Sequence, residues 1–190
     1  MRIFAIDPGG EESSYVIWDS IQETVLEHGY NLRNDVLLHK IRAQEDHQFL
    51  VLERIQARGI SVGQETFDTA EYVGALGEAY VHKYLVHRVF RTKVRIHFCG
   101  TPNSNDGTVR RAILDRFGGE KKAIGGIKCP RCKGKGWFGS GRKDCPACHG
   151  FKWRHLPGKL TGIKDDEWQA LALALYFCDT HLTGREKREE

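Results

Sequence analysis

Four cysteines fall in two pairs, Cys129-x2-Cys132 and Cys145-x2-Cys148, with twelve residues between the pairs. Two residues between cysteines let both thiolates reach one ion from a tight turn. Two such turns complete a tetrahedral S4 site, so the spacing points to one structural Zn²⁺. A redox dithiol or a disulfide pair is the competing chemistry, and two matched pairs in one short segment favour the metal. The acids offer a second set. Asp7 ends the apolar run Ile3–Ile6 and is followed by Pro8-Gly9-Gly10; Glu65 ends a run that starts at Ile60; Asp165 and Asp166 open an Ala/Leu-rich stretch. Taken singly, each of these also reads as a turn or a helix cap. Taken together, carboxylates at two strand ends and at a helix start can converge at one edge of a sheet. Mg²⁺ or Mn²⁺ takes oxygen ligands and keeps waters, so such a set would hold one or two ions able to activate a water and stabilise the leaving 3′ oxygen in phosphodiester hydrolysis.

The elements that must position these residues follow from apolar spacing. Residues 2–6 read as a buried strand, and 14–19 and 23–29 as two further strands of an antiparallel meander. Residues 33–41 read as a short helix. Residues 44–57, with Phe49, Leu50, Leu52 and Ile55 at helical spacing, read as a second helix stopped by Gly59, and Glu53 is then set aside as its solvated flank. A strand over 60–65 carries Glu65, and a long helix covers 68–87, with Asp68 as N-cap and Glu71 at capping-box spacing. Residues 94–98 read as a strand, 101–105 as a polar loop, 107–117 as a helix ended by Gly118-Gly119, and 165–182 as the last helix before a charged tail, 184–190, that frays. The order predicts an α/β fold, a mixed sheet flanked by helices. Residues 1–126 and 157–190 would form the main domain, and 127–156 a small zinc-binding insert.

Composition bounds the partners. In 190 residues the net charge is +4 and the hydrophobic share 40%. No apolar run approaches the ~20 residues that span a membrane, and Asp7-Pro8 interrupts the early apolar stretch, so a soluble, cytoplasmic protein is expected. Basic residues concentrate between Arg88 and Arg95 and from Arg110 to Arg154, which suits a polyanionic partner. Lys121, Lys122, Arg110 and Arg111 are the candidate phosphate contacts; for the arginines, solvated helix charges are the competing reading. Cys99 and Cys178 stand alone and are expected to be buried thiols in a reducing compartment.

The opening Met1-Arg-Ile-Phe-Ala-Ile-Asp7-Pro-Gly9 resembles the first strand of RuvC-type Holliday junction resolvases. Ser61-Val-Gly-Gln-Glu65-Thr-Phe67 with Ala75-Leu-Gly77-Glu-Ala79 resembles that family's second acidic strand and the helix after it. Thr101-Pro102 with Thr108-Val-Arg-Arg-Ala112, then Lys121-Lys122-Ala123, and finally Asp166-Glu-Trp-Gln169-Ala-Leu-Ala-Leu-Ala174, are similar to its later segments in the family's order. The resemblance implies an RNase H-like fold with a five-stranded sheet and a Mg²⁺- or Mn²⁺-dependent endonuclease of bacterial or phage origin. It further implies a homodimer acting on branched DNA, with Asp7, Glu65 and Asp166 as the metal-binding catalytic acids. The chain departs from the family at Gln169, where an Asp is usual. Asp165 is the candidate to supply the missing carboxylate, and which of Asp165 and Asp166 is the main ligand stays open. A nuclease of the same fold acting on flap DNA or an RNA–DNA hybrid, or a non-catalytic zinc-containing nucleic-acid-binding module, are the other readings. The cysteine segment, with Cys132-Lys-Gly134-Lys-Gly136 and Cys148-His-Gly150, resembles the zinc domain of DnaJ-type proteins and lies outside the usual resolvase pattern.

Overall fold

The computed structural model describes residues 1–43, 49–56, 63–125, 131–133, 135, 137–138, 143–147 and 158–182. Two compact units result: Met1–Ile113 with Ile163–Glu190, and Leu114–Gly162.

The first unit is built on a five-stranded sheet in the order β3-β2-β1-β4-β5. Strand β1 (Arg2–Asp7), β2 (Glu12–Asp19) and β3 (Thr24–Arg33) form the antiparallel meander. β4 (Phe49–Arg54) runs parallel to β1, and β5 (Val86–Phe90) parallel to β4. The carboxyl ends of β1, β4 and β5 therefore lie at one edge of the sheet, the place where open α/β sheets carry their chemistry. On one face, Phe4, Ile6, Tyr15, Ile17, Leu50 and Leu52 pack with Leu37 and Ile41 of α1 (Asn34–Arg42) and Val73 and Leu76 of α2 (Gln64–Ala79). Side chains alternate along a strand, so Ile3, Ala5 and Val51 face the other way, where α6 (Glu167–Phe177) packs on β1, β2 and β4. Helix α6 is buried almost all round, which explains its Ala/Leu-rich, unpatterned composition. A π-helical turn, Cys178–Leu182, follows it. Between β5 and α6 in sequence come α3 (Arg91–Cys99) and α4 (Asp106–Arg116).

Four expectations are corrected. Residues 49–54 are a strand and not part of a helix, because Phe49-Leu50-Val51-Leu52 is an unbroken apolar run buried on both faces between two parallel neighbours. Residues 94–98 are helical; Val94 is the buried residue of α3, and the alternation Val-Arg-Ile-His-Phe is incidental. The fifth strand is instead Val86–Phe90, inside the span read as a long helix, since α2 ends at Ala79. Gln64 and Glu65 are the first residues of α2, capped by Gly63 rather than by Asp68, which instead accepts a hydrogen bond from the Gln64 side chain at 2.7 Å. Residues 44–48, 57–62, Cys129, Cys148 and the tail 184–190 lie outside the described residues.

The second unit holds α5 (Glu120–Ala123), carrying Lys121 and Lys122, both exposed, and a two-stranded hairpin of β6 (Trp137–Phe138) and β7 (Lys143–Asp144). Gly118 and Gly119 end α4 with φ of 83° and 89°, a left-handed reversal that glycine makes without penalty. Among the described residues, no helix is long and apolar enough to cross a membrane.

Candidate metal centre at the sheet edge

Register fixes the first two acids. Ile6 lies beside Leu52 on parallel strands, so Asp7 and Glu53 are the next neighbours, both projecting from the face that α6 covers. Glu53 in turn lies beside Val89, so Arg91, two residues on, emerges on the same side. The side chains meet accordingly. Arg91 donates from Nε to Oε2 of Glu53 at 2.9 Å, and from Nη2 to Oδ1 and Oδ2 of Asp7 at 3.2 and 3.3 Å. Asp166, at the N-cap of α6, is close enough for its charge to act on Asp7.

Burial and crowding set the protonation. Burial pushes the Asp7 carboxyl well above the ordinary 3.8, and the charges of Glu53 and Asp166 push it further up, against the pull of Arg91. Glu53 is also raised, by burial first, although Arg91 and a hydrogen bond from Asp7 draw it down. Both acids are thus harder to ionise than free carboxyls, Asp7 the more so. A carboxyl raised on folding opposes stability once it must ionise: the cost is absent below the unfolded value and grows as pH rises through the folded one. Asp7→Asn, which keeps the neutral shape, is therefore expected to raise the metal-free melting temperature at neutral pH, with the gain vanishing in acid. Melting curves of both proteins across pH check this; a gain that persists at low pH would sink the account.

The loop after Asp7 is held by its own sequence. A Cβ on Gly9 would stand 2.3 Å from the Glu12 carbonyl oxygen, so only glycine fits. Asn34 Nδ2 donates to the carbonyls of Gly9 and Gly10 at 3.1 and 2.9 Å, and Ser13 Oγ donates to Asn34 Oδ1 at 2.7 Å. The approach to α6 is held by Glu167, which is 1% exposed. Its Oε2 accepts the Lys164 backbone N–H at 2.6 Å, and its Oε1 lies 2.9 Å from His28 Nδ1 on β3. Between these anchors Asp165 takes a left-handed φ of 30°, which is strained for a residue with a Cβ. Glu167→Ala removes the buried carboxylate that the Lys164 N–H and His28 engage. A loss of about 1–3 kcal/mol is expected, read as a lower midpoint in urea; an unchanged midpoint would deny Glu167 the anchoring role.

The expected site residues are placed as follows. Asp7 stands at the strand end. Asp165 and Asp166 line a cavity of about 290 Å³ with Gln169, Trp168, Arg110 and Asp106. Arg110 lies over the Trp168 ring, 5.1 Å from its centroid, and Arg111 is exposed on the same helix. Glu65, expected at a strand end, sits exposed in the first turn of α2, where with Gly9, Gly10, Asn31 and Asp68 it lines a separate open cavity of about 590 Å³. It is Glu53 that shares Arg91 with Asp7. Glu53, Arg91 and Asp106 were missed from sequence. The signal for Glu53 was present: Leu50-Val-Leu-Glu53 repeats the pattern Phe4-Ala-Ile-Asp7, apolar residues closed by an acid. Asp106 is bonded to Arg95 at 2.8 Å.

In the second unit, Cys132 and Cys145 are 4% and 0% exposed and bury together. The Lys135 N–H bonds back to the Cys132 carbonyl at 3.0 Å, and Lys133 has φ of 51°, so a tight turn follows Cys132. Among the described residues, no group of three or more metal-binding side chains is assembled.

The strand order, the mixed parallel and antiparallel pairing and the helix across β1 and β4 define an α/β fold with a mixed five-stranded sheet flanked by helices. No family model and no curated sequence matches the chain. Solved structures do. Thermus thermophilus RuvC aligns with a TM-score of 0.52 and 13% identity over 97% of each chain. The RuvC of T. thermophilus in complex with a Holliday junction substrate aligns at 0.51 and 12%, over 97% of this chain and 96% of the other. The likeness spans the chain and establishes that this is the RuvC fold.

Proposed function

We propose that this chain is a divalent-metal-dependent endonuclease that cuts branched DNA at four-way junctions. One observation carries the reading: acids from the ends of two adjacent parallel strands stand side by side on one arginine, with the start of α6 near enough for the Asp166 charge to act on Asp7, on a fold shared from end to end with a junction resolvase. The donor set suits a hard cation. It consists of carboxylate oxygens, and a guanidinium already stands between two of them. Asp7, Glu53 and Asp166 would hold Mg²⁺ or Mn²⁺, with Asp165 and the Gln169 carbonyl oxygen at the rim. When bound, such ions polarise an attacking water and stabilise the departing 3′ oxygen. The protein's part is to fix the acids. The sheet register holds Asp7 and Glu53 side by side, Asn34 immobilises the loop behind Asp7, and Glu167 sets the turn that presents Asp166. A carboxylate must be ionised to ligate a cation, so the raised pKa of Asp7 makes binding by this set favour higher pH. Within the first unit Arg110, braced on Trp168, and Arg111 would supply phosphate contacts, and within the second unit Lys121 and Lys122 would do so.

The four-way junction assay tests this. Cleavage that needs Mg²⁺ or Mn²⁺, stops with EDTA and is lost in Asp7→Asn supports it. Flap, duplex and RNA–DNA hybrid substrates run alongside decide between junction resolution and a broader nuclease. Symmetric paired cuts and a dimer mass in solution would support action as a homodimer. We propose further that Cys132 and Cys145, with Cys129 and Cys148, hold one structural Zn²⁺. The burial of two thiols in so small a unit supports it.

A further inference from the structure

We propose that in the metal-free protein Arg91 takes the place between Asp7 and Glu53 that a divalent ion occupies, so that the ion enters only as the guanidinium withdraws. This rests on the reading of Asp7 and Glu53 as metal ligands.

Three features carry it. The first is position. Asp7 and Glu53 are side by side on neighbouring strands, and the Arg91 fork spans both, with one N–H group on Glu53 at 2.9 Å and another shared between the two Asp7 oxygens at 3.2 and 3.3 Å. A cation bridging these two acids must use the same oxygens. The second is placement on the chain. Arg91 is the first residue of α3, where the helix dipole disfavours a positive charge. Nothing in the helix itself holds a cation there, so the carboxylates do. The third is a way out. The Arg91 side chain is 31% exposed and opens on a cavity of about 360 Å³ shared with Gln56 and Thr66. The uneven contacts also fit exchange, since the longer, shared bonds to Asp7 are the weaker ones.

The fork matters as much as the charge. A lysine at this position keeps the charge, but its single ammonium does not reproduce two separate contacts in fixed geometry. Occupation of a shared place and repulsion by a nearby charge therefore give different results.

The test is a Mn²⁺ titration followed by the electron paramagnetic resonance of the free ion. It uses full-length protein dialysed free of Mg²⁺ and Mn²⁺, without DNA, with folding checked by circular dichroism. Wild type, Arg91→Ala, Arg91→Lys and Asp7→Asn are compared. Arg91→Ala is expected to bind Mn²⁺ about tenfold or more tightly than wild type, Arg91→Lys also more tightly, and Asp7→Asn to lose the site. Arg91→Ala no tighter than wild type, or Arg91→Lys equal to wild type, overturns the shared place while Asp7-dependent binding leaves the nuclease reading intact. Should Arg91→Ala fail to fold, Arg91→Lys decides alone. Mn²⁺ binding that is absent, or indifferent to Asp7→Asn, removes the nuclease reading and this proposal with it.

Discussion

Glu53→Gln is expected to lower single-turnover cleavage of a four-way junction by about 10³-fold or more, ~4 kcal/mol of transition-state stabilisation. Glu65→Gln should stay within about threefold of wild type. The contrast follows from where the two acids stand. Glu53 is buried beside Asp7 and shares its arginine, whereas Glu65 is exposed on the first turn of α2. Glutamine keeps the shape of Glu53 and its hydrogen bond from Arg91, so the fold should survive while the charge is lost. Junction binding, measured by gel shift with Ca²⁺, should change little. If Glu65→Gln destroys cleavage and Glu53→Gln does not, the site belongs at the Gly9–Gly10 cavity and the register argument fails.

The second large effect concerns the cysteines. Purified protein is expected to carry one zinc per chain, and Cys145→Ser to lose it. Zinc in small modules contributes an apparent ~10–16 kcal/mol of folding free energy, far more than a two-stranded hairpin holds by itself. The variant should therefore lose the cooperative melting of the second unit, and junction affinity with it, before Asp7-dependent Mn²⁺ binding is touched. Elemental analysis and tryptophan fluorescence read both. Zinc-free wild type, or a Cys145→Ser protein that melts as wild type does, would end the structural-zinc reading.

What could be read from sequence divides along physical lines. Asp7 was legible because a buried strand followed by Pro-Gly-Gly leaves little choice of structure, and β1 to β3 and α6 emerged near their true bounds for the same reason. β4 was not, because its four apolar residues are buried on both sides and show no period, so length and flanks misled. That single misreading kept Glu53 off the list of candidate acids. Arg91 and Asp106 could not be found by spacing at all. They reach the site only through the parallel pairing of β5 with β4 and the packing of the helices after it, contacts that join residues distant in sequence.

The backbone at Asp165 has an evolutionary edge. A left-handed φ of 30° is tolerated there because the anchors on either side enforce it, and glycine would accept it freely. Asp165→Gly should thus relieve about 1 kcal/mol of strain. Laboratory selection of this chain for heat resistance alone, with no demand for cutting, would be drawn to position 165 early, whereas selection that also scores cleavage would retain the acid. The two lineages, sequenced side by side, would reveal whether that carboxylate is kept for what it does or merely inherited.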